Sequence, residues 1–298
     1  MSFQSPYPLV KNSISDYIFA LLIILGAYIA GNIPLLVVFS QLNASSADII
    51  YELQRNLGNT VTFVLLLFPW ITVFVSVPLI SKFILRWPFE FLITGRKKID
   101  YKRLGVGFGL WFLLCTITFF VSRNDLVVTN FNVEKFIPLV VVASCVLLVQ
   151  CAAEELIFRS FLLKWMSTRI QNGLILSIIT GAIFGYLHAS NPEVEAIGDI
   201  ALVYYIGTGI FLGLIAIIDD GLELTIGFHF ANNLFAALIV TSNWQVFQTD
   251  ALFLDTNPPA FTWVDFITAF GGQMIFFLIC WKVYKWKSAG KKILNEPS

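Results

Sequence analysis

QCAAEELIFRSF, residues 150–161, lies inside a long apolar run and yet carries three charges: Glu154, Glu155 and Arg159. A charged side chain at a bilayer centre costs about 2.5–3.5 kcal/mol even on an insertion scale. Either the stretch is soluble, or it is a membrane helix with a use for its charges. Composition decides between the two. Hydrophobic residues make up 57% of the 298 and charged residues 13%, about half the charged share of a soluble domain. Mean hydropathy is +0.80. This is the composition of a polytopic membrane protein, so the quoted stretch is read as intramembrane.

Working outward, eight stretches reach the roughly 20 residues that a helical crossing needs. They lie at about 17–41, 60–84, 104–122, 136–168, 172–190, 197–218, 223–242 and 261–284. The fourth holds the quoted residues and is too long for one perpendicular crossing, so it must tilt or carry its C-terminal turns out of the hydrocarbon. The fifth stops at Asn191-Pro192. Barrel-type alternation is absent, which leaves helices as the spanning element. The expectation is an all-α, polytopic membrane helix bundle of about eight transmembrane helices, a single membrane domain over residues 1–298. No soluble domain, long linker or internal repeat interrupts it. The N-terminal sequence has no apolar core and cleavage site of a secretory signal, so the first helix is expected to be retained.

Lys and Arg set the orientation. Lys82, Arg86, Arg96, Lys97, Lys98, Lys102 and Arg103 follow the second stretch, and Lys282, Lys285, Lys287, Lys291 and Lys292 lie at the C-terminal end. Both groups belong on the cytoplasmic side, with Lys164 and Arg169, and an even number of crossings puts both termini there. Net charge is zero and the basic residues are clustered, which gives no reason to expect nucleic acid as a partner. Cys115, Cys145, Cys151 and Cys280 all fall in apolar stretches without CxxC spacing, so neither a disulfide framework nor a thiolate zinc site is expected. Trp165, Trp263, Trp281 and Trp286 near stretch ends read as interface anchors.

Helix phase separates the two glutamates. Glu155 and Arg159 are four residues apart and face nearly the same way, so they can pair. Glu154 lies about 140° round the helix from Arg159 and is left facing something else, as a general base would be. The chain has only two histidines. His188 closes FGYLH with Phe184 one turn earlier, and His229 opens HFANN with Asn233 one turn later. The fourth and fifth stretches form a hairpin turning near Gln171-Asn172-Gly173. Glu154 and His188 are equidistant from Gln171, which places them at the same depth. Asp199, Tyr204 and Tyr205 are assigned no role.

EELIFR, FGYLH and HFANN match, in order, the EExxxR, FxxxH and HxxxN patterns. The chain thus resembles the CPBP family of intramembrane proteases: CAAX prenyl endopeptidases, bacteriocin-processing relatives and Abi-like self-immunity proteins. The matched core runs from about residue 136 to 242. The resemblance implies a metal-independent glutamic endopeptidase whose helices enclose an intramembrane catalytic cavity, with no cofactor. It makes Glu154 the base that activates water and His188 a ligand of that water. His229 and Asn233 form the oxyanion hole, supported by Glu155, Arg159 and Phe184. The partners it implies are the lipid bilayer and a peptide or protein substrate, prenylated or a leader peptide, entering from the membrane or the cytoplasmic side. The implied location is the bacterial cytoplasmic membrane. Two other readings use the same residues. One is a zinc-dependent membrane metalloprotease with His188, His229 and a carboxylate as ligands, although the chain has no HExxH. The other is a non-catalytic self-immunity or peptide-binding membrane protein.

Overall fold

The computed structural model describes residues 3–5, 7, 9–42, 49–286 and 289–294. Helix α1 (Ile14–Gly31) starts at a capping box in which Ser13 and Asp16 satisfy each other's backbone N–H groups. It breaks at Asn32, because Pro34 sits in the first turn of α2 (Ile33–Gln41). Then come α3 (Ile49–Leu57) and α4 (Asn59–Ile80), the second running into a π-helical turn at Ser81–Leu85. A short α5 (Phe89–Ile93) leads to α6 (Tyr101–Ser122), capped by Asp100.

After strand β1 (Val127–Thr129), Asn132 caps α7 (Val133–Glu155). The chain continues without a break through a π-helical segment, Leu156–Leu162, into α8 (Leu163–Met166). The turn that follows ends at Asn172, which caps α9 (Gly173–Tyr186). Next are α10 (Pro192–Ile197), α11 (Ile200–Asp219) and α12 (Glu223–Leu238). Strands β2 (Val240–Ser242) and β3 (Phe253–Asp255) precede α13 (Trp263–Tyr284) and a terminal α14 (Ala289–Leu294).

All eight hydrophobic stretches are helical. Among the described residues, six helices are long and apolar enough to cross a membrane: 14–41, 59–85, 101–122, 133–166, 200–219 and 263–284. The fifth and seventh stretches form the shorter helices α9 and α12, of 14 and 16 residues. For α12 the reason is burial. Thr225, Ile226, Gly227 and Phe228, which point in turn to successive faces, are all buried, so its apolar character reflects packing inside the bundle. The long helices instead turn Ile117, Val121 and Ile267 outward, as a lipid-facing surface requires. The chain is an integral membrane protein. The 34 residues of 133–166 would span about 51 Å at 1.5 Å per residue, well beyond a hydrocarbon core, as their length in the sequence suggests.

Two close helix crossings fix the site. Helices α9 and α11 run antiparallel with Gly181 against Gly209, where a Cβ on Gly181 would stand 2.4 Å from the Ile210 nitrogen. Helices α6 and α12 run parallel and approach as closely, a Cβ on Gly227 standing 2.2 Å from the Leu104 carbonyl oxygen. Gly181→Leu should force α9 off α11 and cost about 1–3 kcal/mol, seen as a fall of several degrees in thermal midpoint in detergent. Gly26→Ala, with nothing within 4 Å of its Cβ, should leave the midpoint unchanged.

One end of the bundle gathers the charges. Asp219 binds Arg96 and Arg103 and accepts from the Trp286 indole at 2.9 Å, while Arg96 also pairs with Glu223. Segments near both ends of the sequence meet at the neighbouring turn: the Phe3 N–H donates to Asp220 at 3.2 Å, and Lys292 pairs with the same carboxylate. Lys164 is buried there, donating to the Phe3 carbonyl and lying 3.6 Å from the Phe3 ring centroid. Lys287 lies outside the described residues. Of the four tryptophans read as anchors, Trp263 and Trp281 are exposed. Trp286 is instead buried by its bond to Asp219, and Trp165 stacks on Tyr17 at 5.6 Å. The opposite end carries a small sheet that hydropathy does not announce. Strand β3 pairs antiparallel with β1 (Val127↔Asp255) and parallel with β2 (Val240↔Phe253).

Candidate active site

Helix α7 brings Glu154 and Glu155 to its C-terminal end, immediately before the chain widens into the π-helical segment 156–162. Such segments are frequent at functional sites. Glu155 and Arg159 are both completely buried and pair at 2.8 Å. The same Glu155 oxygen, Oε1, lies 2.9 Å from His229 Nδ1. A carboxylate paired with arginine only accepts, so Nδ1 is the donor and the imidazole is locked in one orientation. Its other nitrogen, Nε2, lies 3.6 Å from Glu154 Oε2.

Glu154 is 3% exposed. Its Oε1 accepts from Gln150 Nε2 at 2.6 Å, one turn earlier on α7. Among the described residues, Glu154 Oε2 has no hydrogen-bond partner. Gln150 Oε1 accepts from Asn233 Nδ2 at 3.0 Å and from the Cys151 thiol at 3.2 Å. Helix α12 therefore presents His229 and Asn233 from one face to two successive glutamates and a glutamine on α7.

His188 follows the last turn of α9. Its Nδ1 donates to the Phe184 carbonyl at 2.8 Å, and its ring stacks on Tyr205 at 4.4 Å. The i, i+4 spacing of the FxxxH motif is thus a hydrogen bond to the backbone made through Nδ1, not Nε2. The Phe184 ring ties the parts together: its centroid is 4.1 Å from the Arg159 guanidinium carbon, 4.6 Å from the His188 ring and 6.0 Å from the His229 ring. Phe158 and Phe184 meet at 5.3 Å. Among the described residues His188 makes no hydrogen bond to Glu154.

The structure gathers Glu154, Glu155, Arg159, Phe184, His188, His229 and Asn233 into one neighbourhood. Sequence reasoning missed Gln150 and Tyr205. Gln150 sits at the i−4 position from Glu154, which helical spacing could have flagged. Tyr205 had no motif to mark it. Among the described residues, no group of three or more His, Cys, Asp or Glu side chains is arranged to hold a metal ion.

Comparison with known proteins agrees with the three motifs. Residues 136–235 match the family described as type II CAAX prenyl endopeptidase Rce1-like. The chain is 31% identical over 243 residues to the uncharacterized protein YyaK of Bacillus subtilis (strain 168), covering 80% of this chain and 81% of that protein. No solved structure matches it. Every motif residue lies within the matched segment, and the likeness to YyaK covers more residues than that segment holds; the chain belongs to the Rce1-like family of type II CAAX prenyl endopeptidases, a family of membrane peptide hydrolases.

Proposed function

We propose that the protein is an intramembrane endopeptidase in which Glu154 activates water to hydrolyse a peptide bond. The observation that carries this reading is the asymmetry of the Glu154 carboxylate. One oxygen is held by Gln150, while the other is buried with no hydrogen-bond partner among the described residues and lies 3.6 Å from His229 Nε2. That separation is too long for a direct hydrogen bond, and a single water beside the pair can reach both atoms. Glu154 Oε2 takes a proton from the water as its oxygen bonds to the carbonyl carbon. His229, through Nε2, and Asn233, through its amide, donate to the developing oxyanion. Glu154 then returns the proton to the amine nitrogen as the C–N bond breaks. His188, held through Nδ1, turns its remaining nitrogen to the same water. Glu155 and Arg159 hold His229 in place.

The substrate is a peptide or protein reaching the site from the membrane or from the end where Asp219 and Asp220 meet Phe3 and Lys292. The basic loop 96–103 makes that end cytoplasmic, in a bacterial cytoplasmic membrane. The test uses proteoliposomes and three quenched fluorogenic peptides: a farnesylated CAAX peptide, its unmodified counterpart and a leader peptide. Cleavage of the farnesylated peptide at the residue after the cysteine is expected, and a strong chelator should leave the rate unchanged. Activity lost to chelator and restored by zinc would overturn the reading in favour of a metalloprotease.

A further inference from the structure

Gln150 belongs to none of the three motifs, yet it stands between the two groups to which the proposed reaction gives different jobs. Its Nε2 donates to Glu154 Oε1 at 2.6 Å, and its Oε1 accepts from Asn233 Nδ2 at 3.0 Å. The series continues beyond Asn233. Asn232 Nδ2 donates to Asn233 Oδ1 at 3.3 Å, and the Trp111 indole Nε1 donates to Asn232 Oδ1 at 3.2 Å. Three amides in a row thus run from α6 through α12 to α7.

The two ends of this series set its direction. An indole N–H only donates, and an ionised carboxylate only accepts. With Trp111 at one end, Asn232 must turn its oxygen toward the indole. Its nitrogen then faces Asn233, whose own nitrogen faces Gln150, and the Gln150 nitrogen faces Glu154. None of the three amides can flip without placing two donors or two acceptors against each other. Trp111 is itself held, 5% exposed, with its ring stacked on Phe228 at 3.9 Å and edge-on to Phe276 at 6.2 Å.

We propose that Trp111, Asn232 and Gln150 form a one-directional hydrogen-bond chain that positions both the base Glu154 and the oxyanion donor Asn233. The inference rests on the reading of Glu154 as base. Gln150 occupies Oε1, so proton transfer is directed to Oε2. The chain also presents the Asn233 amide nitrogen, rather than its oxygen, toward α7. One N–H of that nitrogen is engaged by Gln150, and the second remains for the oxyanion. Gln150, Asn232 and Trp111 are positioning residues; none has to touch substrate. Each hydrogen bond polarises the next, which strengthens the series.

The test compares Gln150→Met, Trp111→Phe and the double variant, with Glu154→Gln measured alongside, on the farnesylated CAAX peptide in proteoliposomes. Gln150→Met keeps the length of the side chain and removes both bonds; kcat should fall about 100-fold with KM unchanged. Trp111→Phe keeps the aromatic packing and removes only the indole N–H, and kcat should fall about threefold. In the Gln150→Met background, Trp111→Phe should have no further effect, because the chain is already cut. A residue that only supports the fold would lower yield or thermal midpoint without this kcat-only pattern or this coupling. Wild-type kcat in Gln150→Met, with Glu154→Gln inactive, would overturn the chain alone; cleavage by Glu154→Gln would instead overturn the base. A substrate-free measurement covers the case in which Gln150→Met does not accumulate. With 15N-labelled Asn and Gln side chains, Trp111→Phe should shift the Asn232, Asn233 and Gln150 amide resonances together. A shift confined to Asn232 would show that nothing is transmitted and would sink the proposal.

Discussion

Glu154→Gln is expected to lower kcat by about 10³-fold or more, with KM unchanged and the thermal midpoint equal to or above that of the native protein. The substitution is nearly isosteric. The amide oxygen still accepts from Gln150 Nε2, so the bond that holds the side chain survives. What disappears is the proton acceptor, because an amide cannot take a proton from water at neutral pH. Stability should not suffer, since the replaced group is a buried carboxylate with one oxygen lacking a hydrogen-bond partner among the described residues. Exchanging such a charge for a neutral group removes a desolvation cost. Rates in proteoliposomes and melting curves in detergent check the two halves together. Retained cleavage would remove Glu154 from the base role. A collapsed midpoint with lost activity would make the residue structural instead.

The sequence makes the site legible because charge is so expensive in a membrane. Glu154, Glu155 and Arg159 stand out against an apolar background, and four-residue spacing correctly anticipates the Glu155–Arg159 pair at 2.8 Å. Neutral polar groups do not stand out in this way. Gln150 carries no charge to explain, although it touches both Glu154 and Asn233. Trp111 and Asn232 look like an ordinary aromatic and an ordinary amide until α6 and α12 are seen to cross at their glycines. Hydropathy marks eight helical stretches, but it cannot tell a helix buried in protein from one facing lipid, and so α12 reads as another crossing. Strands of three residues leave no periodicity to detect, and β1 pairs with a strand more than a hundred residues away. The cluster joining Arg96 and Arg103 to Asp219 is equally hidden. Orientation rules count its cations and say nothing of their partners.

Glu155 does more than pairing with Arg159 alone would suggest. A single oxygen, Oε1, takes both the arginine and His229 Nδ1. The guanidinium in turn lies against Phe184, the ring that also contacts both histidines, and reaches the Gly209 carbonyl at 3.5 Å. Burial of the pair therefore serves orientation: two rigid contacts on one carboxylate fix the imidazole that faces Glu154.

Arg159→Met follows directly from this arrangement and should be the most destabilising single change at the site, by about 3–5 kcal/mol. Both members of the pair are fully buried, so removing the arginine leaves a buried carboxylate without the guanidinium that balances its charge. Low yield in membranes and a strongly lowered thermal midpoint are the expected results. The companion experiment separates charge from packing. Adding Glu155→Gln to Arg159→Met neutralises the orphaned carboxylate and should recover much of the lost midpoint, as replacement of a whole buried pair often does. Activity should stay low in the double variant, because a neutral amide oxygen holds the His229 N–H less firmly than a carboxylate. If Arg159→Met melts like the native protein, the pair contributes no stability and Arg159 acts elsewhere. If the double variant recovers full kcat along with its midpoint, the Glu155 charge plays no part in holding His229, and stability is its whole contribution.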